Sequence, residues 1–254
     1  MKTLVVAIQK GGQGKTFATC HLGFDFHERG LRVLVIDLDS QGNASYTLEG
    51  NDSGFAASRL FDRDTTALRE WFTDRSDDGM ALIAADTPLT NLEKMDLREA
   101  AARLKASIAV LSEFFDVCLI DTPPTVCNAM TAAILAADFM LSPIEPEAFS
   151  LQGAKTMVRI VANLRKDNPR LSFLGMVTNK VDGRRPRHVA NLEKLRSGYP
   201  QLILPMSIGL RDSFAEALGE KMPVWRIRKT AAREAAREAR SLAEYIHNKM
   251  GIDK

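Results

Sequence analysis

Short apolar runs alternate along this chain with stretches of helical periodicity. Leu4 to Ile8 is an apolar, β-branched run, and Arg32 to Ile36 is a second that ends on Asp37. Met80–Ala84, Val117–Ile120, Phe139–Leu141, Ser172–Thr178 and Leu202–Leu204 repeat the theme. Runs this short with no polar alternation suit strands buried on both faces. Between them the pattern predicts helices over 16–29, 91–114, 150–166 and 188–197, with a last one over about 230–250. Gly30 stands where a helix stop belongs. The 91–114 helix rests on Leu92, Leu97, Leu104, Ile108 and Leu111. Residues 51–79 are polar and irregular, with a short helix near Ala67 to Phe72. Alternating strand and helix signals predict an α/β fold, with a mainly parallel central sheet flanked by helices on both faces. With no linker, repeat or low-complexity tract in view, 1–254 reads as a single domain.

Composition narrows this picture only slightly. The 254 residues carry 45% hydrophobic and 26% charged side chains, an ordinary globular balance. A net charge of +2 makes any nucleic-acid contact the work of a local patch. The three cysteines, Cys20, Cys118 and Cys127, form no CxxC spacing, so they read as reduced thiols of a cytoplasmic protein. The first apolar run is too short for a signal peptide, and none reaches the roughly 20 residues of a membrane span.

The chemistry begins at the end of the first strand. Lys10-Gly11-Gly12-Gln13-Gly14-Lys15-Thr16 lies between a strand and a helix, the order a phosphate cradle requires. Glycines let backbone N–H groups converge on phosphate oxygens, and the helix that follows offers its positive end. Lys15 is expected to reach the β- and γ-phosphates and the Thr16 hydroxyl to ligate Mg²⁺. The general pattern GxxxxGK[ST] wants a glycine where this chain has Gln9. Asp121 ends an apolar strand, where ligands bind in parallel sheets, and suits Mg²⁺ held through water.

The variant loop resembles the deviant Walker A loop of the ParA/MinD ATPases. Val33-Leu34-Val35-Ile36-Asp37-Leu38-Asp39-Ser40-Gln41-Gly42-Asn43-Ala44 is similar to the DxDxQGN segment of ParA partition proteins. Val117-Cys118-Leu119-Ile120-Asp121-Thr122-Pro123-Pro124 resembles their Walker B strand. Leu141-Ser142-Pro143-Ile144-Glu145-Pro146, Leu204-Pro205 and Val224-Trp225 follow in family order. The resemblance runs from residue 1 to about 250. It is strongest with the plasmid, IncC-like branch, in which no helix-turn-helix domain precedes the first strand. Two departures stand out: Ser40 replaces the usual proline and Phe17 replaces a second threonine. Phe17 keeps a backbone N–H for the α-phosphate but lacks the hydroxyl.

The resemblance implies roles. Lys10, Lys15 and Asp39 are the catalytic residues. Lys10 reaches the partner's phosphates in a nucleotide-sandwich homodimer, and Asp39 orients the attacking water beside the metal, with Asp37 in support. Lys10 to Phe17 hold ATP; Thr16, Asp39 and Asp121 hold Mg²⁺. Asn179, in Asn179-Lys180-Val181-Asp182, contacts the base, with Pro205 and Met206 packed on it. The same tetrapeptide matches the guanine-reading motif of GTPases, but the loop variant favours ATP. Basic residues cluster at Arg184, Arg185 and Arg187, and again at Arg226, Arg228, Lys229, Arg233, Arg237 and Arg240. These are the candidates for sequence-independent DNA binding; a solvated helix docked on the sheet is the plainer reading of the last group. On that helix Ala235, Ala239, Leu242 and Ile246 form the packing face. Its mostly alanine face lacks the bulky residues with which a MinD-type helix enters a membrane, so no membrane contact is expected.

The implied function is a partition ATPase with weak intrinsic turnover. A ParB-type centromere-binding protein stimulates it, and it segregates a plasmid or chromosome in the cytoplasm, on the nucleoid. The alternatives are a small-molecule ATP-dependent enzyme or a MinD-like positioning ATPase of the same P-loop group. A cluster-bridging iron protein is a poor match: Cys118 sits inside a buried strand and Cys127 has no second cysteine nearby.

Overall fold

The computed structural model describes residues 1–73 and 79–252. Among them, eight strands form one sheet: β1 (Lys2–Val6), β2 (Val33–Asp37), β3 (Asp52–Ala56), β4 (Met80–Ala84), β5 (Val117–Asp121), β6 (Phe139–Ile144), β7 (Ser172–Val181) and β8 (Ile203–Gly209). Their order is β3-β4-β2-β5-β1-β6-β7-β8, and every pairing is parallel.

The buried strands explain the continuous apolar runs. Val5, Leu34, Ile36 and Ile120 point to one face of the sheet, while Leu4, Val6, Val33, Val35 and Leu119 point to the other. The first face is covered by α3 (Thr66–Thr73), α4 (Leu97–Leu111), α5 (Asn128–Ala136), α6 (Ser150–Leu164) and α7 (Pro186–Gly198). The second is covered by α1 (Lys15–Glu28), α2 (Asn43–Thr47), α8 (Asp212–Gly219) and α9 (Ala232–Met250). A strand hidden on both faces has no polar side to alternate with.

Several boundaries differ from the expected ones. The first strand begins at Lys2 and is over by Val6, although Ala7 still donates its N–H to the Leu141 carbonyl at 3.1 Å. The run 91–114 is not one helix. A 3-10 turn over Thr87–Lys94 ends at extended residues 95 and 96, and α4 starts afresh. Asp96 caps it, accepting from Arg98 N–H at 2.9 Å and Glu99 N–H at 3.1 Å. The stretch 51–79 holds an edge strand, β3, where irregular chain was expected; its residues 74–78 lie outside the described ones. α2, α5 and α8 were not foreseen, and β6, β7 and β8 run beyond their apolar cores.

Candidate nucleotide site

The loops leaving the carboxyl ends of β1, β2, β5, β7 and β8 converge on one cavity of about 540 Å³. A crevice at the carboxyl edge of a parallel sheet is where such folds bind ligands. The β1–α1 loop forms its floor. Gly12 and Gly14 have φ of +74° and +98°, a region closed to most side chains. Gly14 is the N-cap of α1, yet no side chain caps that helix end. The first N–H groups of α1 therefore stay free for an anion.

The loop is braced from the far side of the sheet. Asn179 donates from Nδ2 to the Gln13 carbonyl at 2.7 Å. A Cβ on Gly14 would lie 2.0 Å from that same nitrogen. Lys180, itself at φ +52°, donates from Nζ to the Gly12 carbonyl at 2.5 Å and pairs with Glu145 at 2.8 Å. Glu145 donates its N–H to the Gln13 side-chain oxygen at 2.8 Å. Gln13 thus serves the loop's shape, with its side chain buried away from the cavity.

Charge is concentrated around Lys15 and three aspartates. Thr16 donates from Oγ1 to Asp121 Oδ2 at 2.7 Å, and Thr19 donates to Oδ1 at 3.3 Å. Burial, and then the negative charge of Asp37, pushes the Asp121 carboxyl well above the usual carboxylate range. Asp37 is also raised by burial, although Ser45 donates to it from both N–H and hydroxyl at 2.8 Å. Asp39 donates its N–H to Asp37 at 3.0 Å and accepts from Gln41 N–H at 3.1 Å, with its carboxylate lining the cavity. Burial lowers the Lys15 pKa, while Asp121 and Asp39 oppose that shift.

This arrangement fits a nucleotide with Mg²⁺. Buried carboxylates that repel one another beside a hydroxyl are hard oxygen donors in want of a cation. Among the described residues no group of three or more His, Cys, Asp or Glu is arranged to hold a metal by itself.

The remaining candidates divide. Gly11, Gly12, Gly14, Lys15, Thr16, Phe17, Asp39 and Asn179 line the cavity. Lys10 is exposed and does not; it borders a smaller recess of about 240 Å³ beside Gln9, Glu145 and Phe149. Pro205 and Met206 are not in the cavity wall. They sit in the middle of β8, Pro205 exposed and Met206 packed on the second core face. The strand continues to Gly209, so Gly209, Leu210 and Arg211 reach the cavity in their place. Asp182 also stays outside, holding Arg184 and Arg185 at 3.2 Å each. Tyr46, Arg211, Phe214 and Leu218 line the cavity without having been foreseen; nothing in their spacing marks them, because α2 and α8 are short and polar at their starts.

The basic candidates are not equivalent. Arg187, Arg228 and Arg233 are exposed and make no ion pair among the described residues. Arg184, Arg185, Arg237 and Lys229 are exposed but paired with a neighbouring carboxylate. Arg226 reaches Glu28 at 3.1 Å. Arg240 is turned inward: it pairs with Asp25 at 2.5 Å and with Glu28, and it lies 3.7 Å over the Trp225 ring. It holds α9 to α1 and is not offered to solvent as the others are. The apolar residues of α9, including Leu242 and Ile246, are buried against the sheet. No helix among the described residues is long and apolar enough to cross a membrane.

Known proteins resemble this chain over most of its length. A family described as "AAA domain" matches residues 1–173. The chain is 68% identical over 252 residues to protein IncC of Escherichia coli, covering 99% of this chain and 70% of that protein. It is 28% identical over 232 residues to a ParA family protein of Chlamydia muridarum, covering 89% and 90%. Among solved structures, an ATP complex of a Cyanothece McdA variant superposes with a TM-score of 0.81 at 27% identity, covering 100% and 98%. Cobyrinic acid a,c-diamide synthase of Mycobacterium smegmatis with a bound ATP analog and magnesium gives 0.76 at 26%, covering 99% and 97%.

Proposed function

The chain belongs to the ParA family of P-loop partition ATPases, in its IncC branch, and from that premise we propose that it is an ATP-dependent dimeric switch on DNA. In this reading 1–254 is one ATPase domain working in the cytoplasm on the nucleoid, and it segregates a plasmid or chromosome. A ParB-type centromere-binding protein stimulates hydrolysis, which is slow without it.

The carrying observation is the split between the two lysines of the loop. Lys15 is buried and lines the cavity, whereas Lys10, five positions earlier, is exposed and outside it. A lysine in the phosphate loop that turns from its own cavity is available to a second subunit's phosphates. Delivered across an interface, such a charge stabilises charge developing in the transition state and ties hydrolysis to dimerisation.

Within one subunit the N–H groups of residues 11 to 17 bind phosphate oxygens and Lys15 neutralises them. Thr16 and Asp121 would offer oxygens to Mg²⁺, which would supply positive charge against the phosphates. Asp39, held in orientation by the Asp37–Ser45 pair, accepts a hydrogen bond from the attacking water.

The loop variant Lys10-Gly11-Gly12 supports ATP over GTP, and Asn179 is the base-contact candidate. Asn179 gives one N–H of Nδ2 to the Gln13 carbonyl and keeps a second N–H and the acceptor oxygen for a base. Asp182, the residue that would pair with guanine, is occupied with two arginines.

DNA contact falls to Arg184, Arg185, Arg187, Arg226, Arg228, Lys229, Arg233 and Arg237, with Arg240 reserved for packing. No base-reading element accompanies them, which supports phosphate contacts that weaken steeply with salt.

ATPase rates with and without DNA and a centromere-binding partner test the cycle. We expect stimulation by both together; a rate indifferent to either would sink it. Lys10→Ala should leave ATP binding within about twofold and remove the dimer-dependent part of turnover. The likeness to cobyrinic acid a,c-diamide synthase favours a second reading, a small-molecule ATP-dependent enzyme. Under that reading turnover would require a small organic acid and ignore DNA.

A further inference from the structure

The nucleotide cavity is not uniformly polar. Beyond the phosphate loop its wall is made by Phe17, Phe214, Ala215 and Leu218. Phe17 and Phe214 pack edge to face, with ring centroids 4.5 Å apart and planes at 65°. His21 backs the pair, 4.7 Å from Phe17 and 5.9 Å from Phe214. Each phenylalanine keeps 8% of its surface exposed while lining the cavity. The aromatic wall begins one residue after Thr16, so it starts where the phosphate cradle ends. Gly209, Arg211 and Asn179 form a polar wall of the same cavity.

We propose that Phe17 and Phe214 form the nucleoside platform of this site: the purine and ribose of the nucleotide lie on this aromatic pair, and most nucleoside affinity comes from it. This rests on the reading of the cavity as an ATP site. The chemistry suits a purine, whose faces are apolar and polarisable while its edge is polar. A phenylalanine in place of a threonine at position 17 gives up a hydroxyl for the phosphates and supplies a ring for the nucleoside. Phe214, on an element far along the chain, packs against this ring in the first turn of α1. Pro205 and Met206, which a family pattern would put on the base, lie outside the cavity wall.

The test separates the nucleoside from its phosphates. Binding of ATP, ADP and inorganic tripolyphosphate, each with Mg²⁺, is measured by calorimetry on the wild type, Phe214→Ala and Phe214→Leu. Stacking on an aromatic ring is worth enough per base to expect about tenfold or greater weakening for ATP and ADP with alanine. Tripolyphosphate affinity should stay within about twofold, and leucine should lie between. Should the alanine variant fail to unfold cooperatively without ligand, leucine carries the comparison. Equal weakening of ATP and tripolyphosphate would overturn the platform, as would unchanged ATP affinity. A wild-type protein that binds no ATP would instead overturn the nucleotide reading of the cavity.

Discussion

Arg240 of α9 closes on Asp25, a fully buried carboxylate of α1, at 2.5 Å. Arg29 pairs with the same carboxylate, and Trp225 lies under the Arg240 guanidinium. Removing one member of a buried ion pair leaves the other uncompensated. Arg240→Ala is therefore expected to lower stability by about 2 kcal/mol, with Arg29 limiting the loss. Arg233→Ala with Arg237→Ala should leave stability within about 0.5 kcal/mol, since both are exposed. The double variant should instead lose DNA retention and flatten its dependence on salt. Urea unfolding and DNA binding between 50 and 200 mM salt, roughly the range where such contacts fade, check both halves. Equal stability loss in the two variants would undo the division of the arginine cluster.

Gly14→Ala tests the cradle directly. Alanine at φ +98° is strained, and its Cβ would overlap Asn179 Nδ2, which anchors the loop to β7. Strain of this kind costs about 1–3 kcal/mol. The expected outcome is a folded protein with little or no ATP affinity, because relief must come from moving either the loop or Asn179. Retained wild-type affinity would mean that the loop is not held as the geometry implies.

The strand–loop–helix order around Lys15, the strand that ends on Asp121 and the parallel sheet were legible in the sequence because local order carries them. A strand, glycines, Lys15 and Thr16 must follow in register for the cradle to form, and buried strands leave unbroken apolar runs. β3 was not legible: Asp52, Ser53 and Gly54 dilute its apolar content, and an edge strand needs only one buried row, here Ser53 and Phe55. The break before α4 was hidden because leucines in a 3-10 turn mimic helical spacing; only the Asp96 cap marks it. The cavity wall at Gly209, Leu210 and Arg211 depends on how far β8 extends, which is set by pairing with β7 rather than by its own residues. Arg240 looked like its neighbours on the helix, and Asp25, 215 positions away, together with the Trp225 ring distinguishes it.

Asp121→Asn should separate function from stability. The buried carboxylate is costly to ionise beside Asp37, which is why its pKa is raised. A raised carboxyl pKa means that stability falls as pH rises from the ordinary carboxylate range through the folded value. An uncharged amide escapes that penalty. In metal-free buffer at pH 8, the variant is expected to melt at a higher temperature than the wild type. It should also lose Mg²⁺-dependent nucleotide binding. Thermal melts with and without Mg²⁺ and ATP decide this; a lower metal-free melting temperature would show that the Thr16 and Thr19 hydrogen bonds outweigh the charge.

His21 supplies the pH dependence. Its ring is fully buried, with Nδ1 3.0 Å from the Phe17 carbonyl and Nε2 accepting from Val224 N–H at 3.2 Å. That fixes the proton on Nδ1, and a second proton on Nε2 would face another donor. Burial accordingly lowers the pKa to about 4, against about 6.5 for an unfolded chain. The unfolded state then binds the proton first as pH falls. The contribution of neutral His21 is whole above pH of about 6.5 and is lost progressively as the pH drops through the folded value of about 4. Near pH of about 5 the loss from this one group is about 2 kcal/mol. His21→Asn removes the titration, while His27, His188 and His247 remain in both proteins. Urea unfolding at pH 7.5 and 5 should show a fall in the wild type larger than in the variant by about that amount. Parallel falls in the two proteins would place the acid sensitivity elsewhere. A larger fall in the wild type would place the acid-sensitive group directly behind the Phe17 and Phe214 pair.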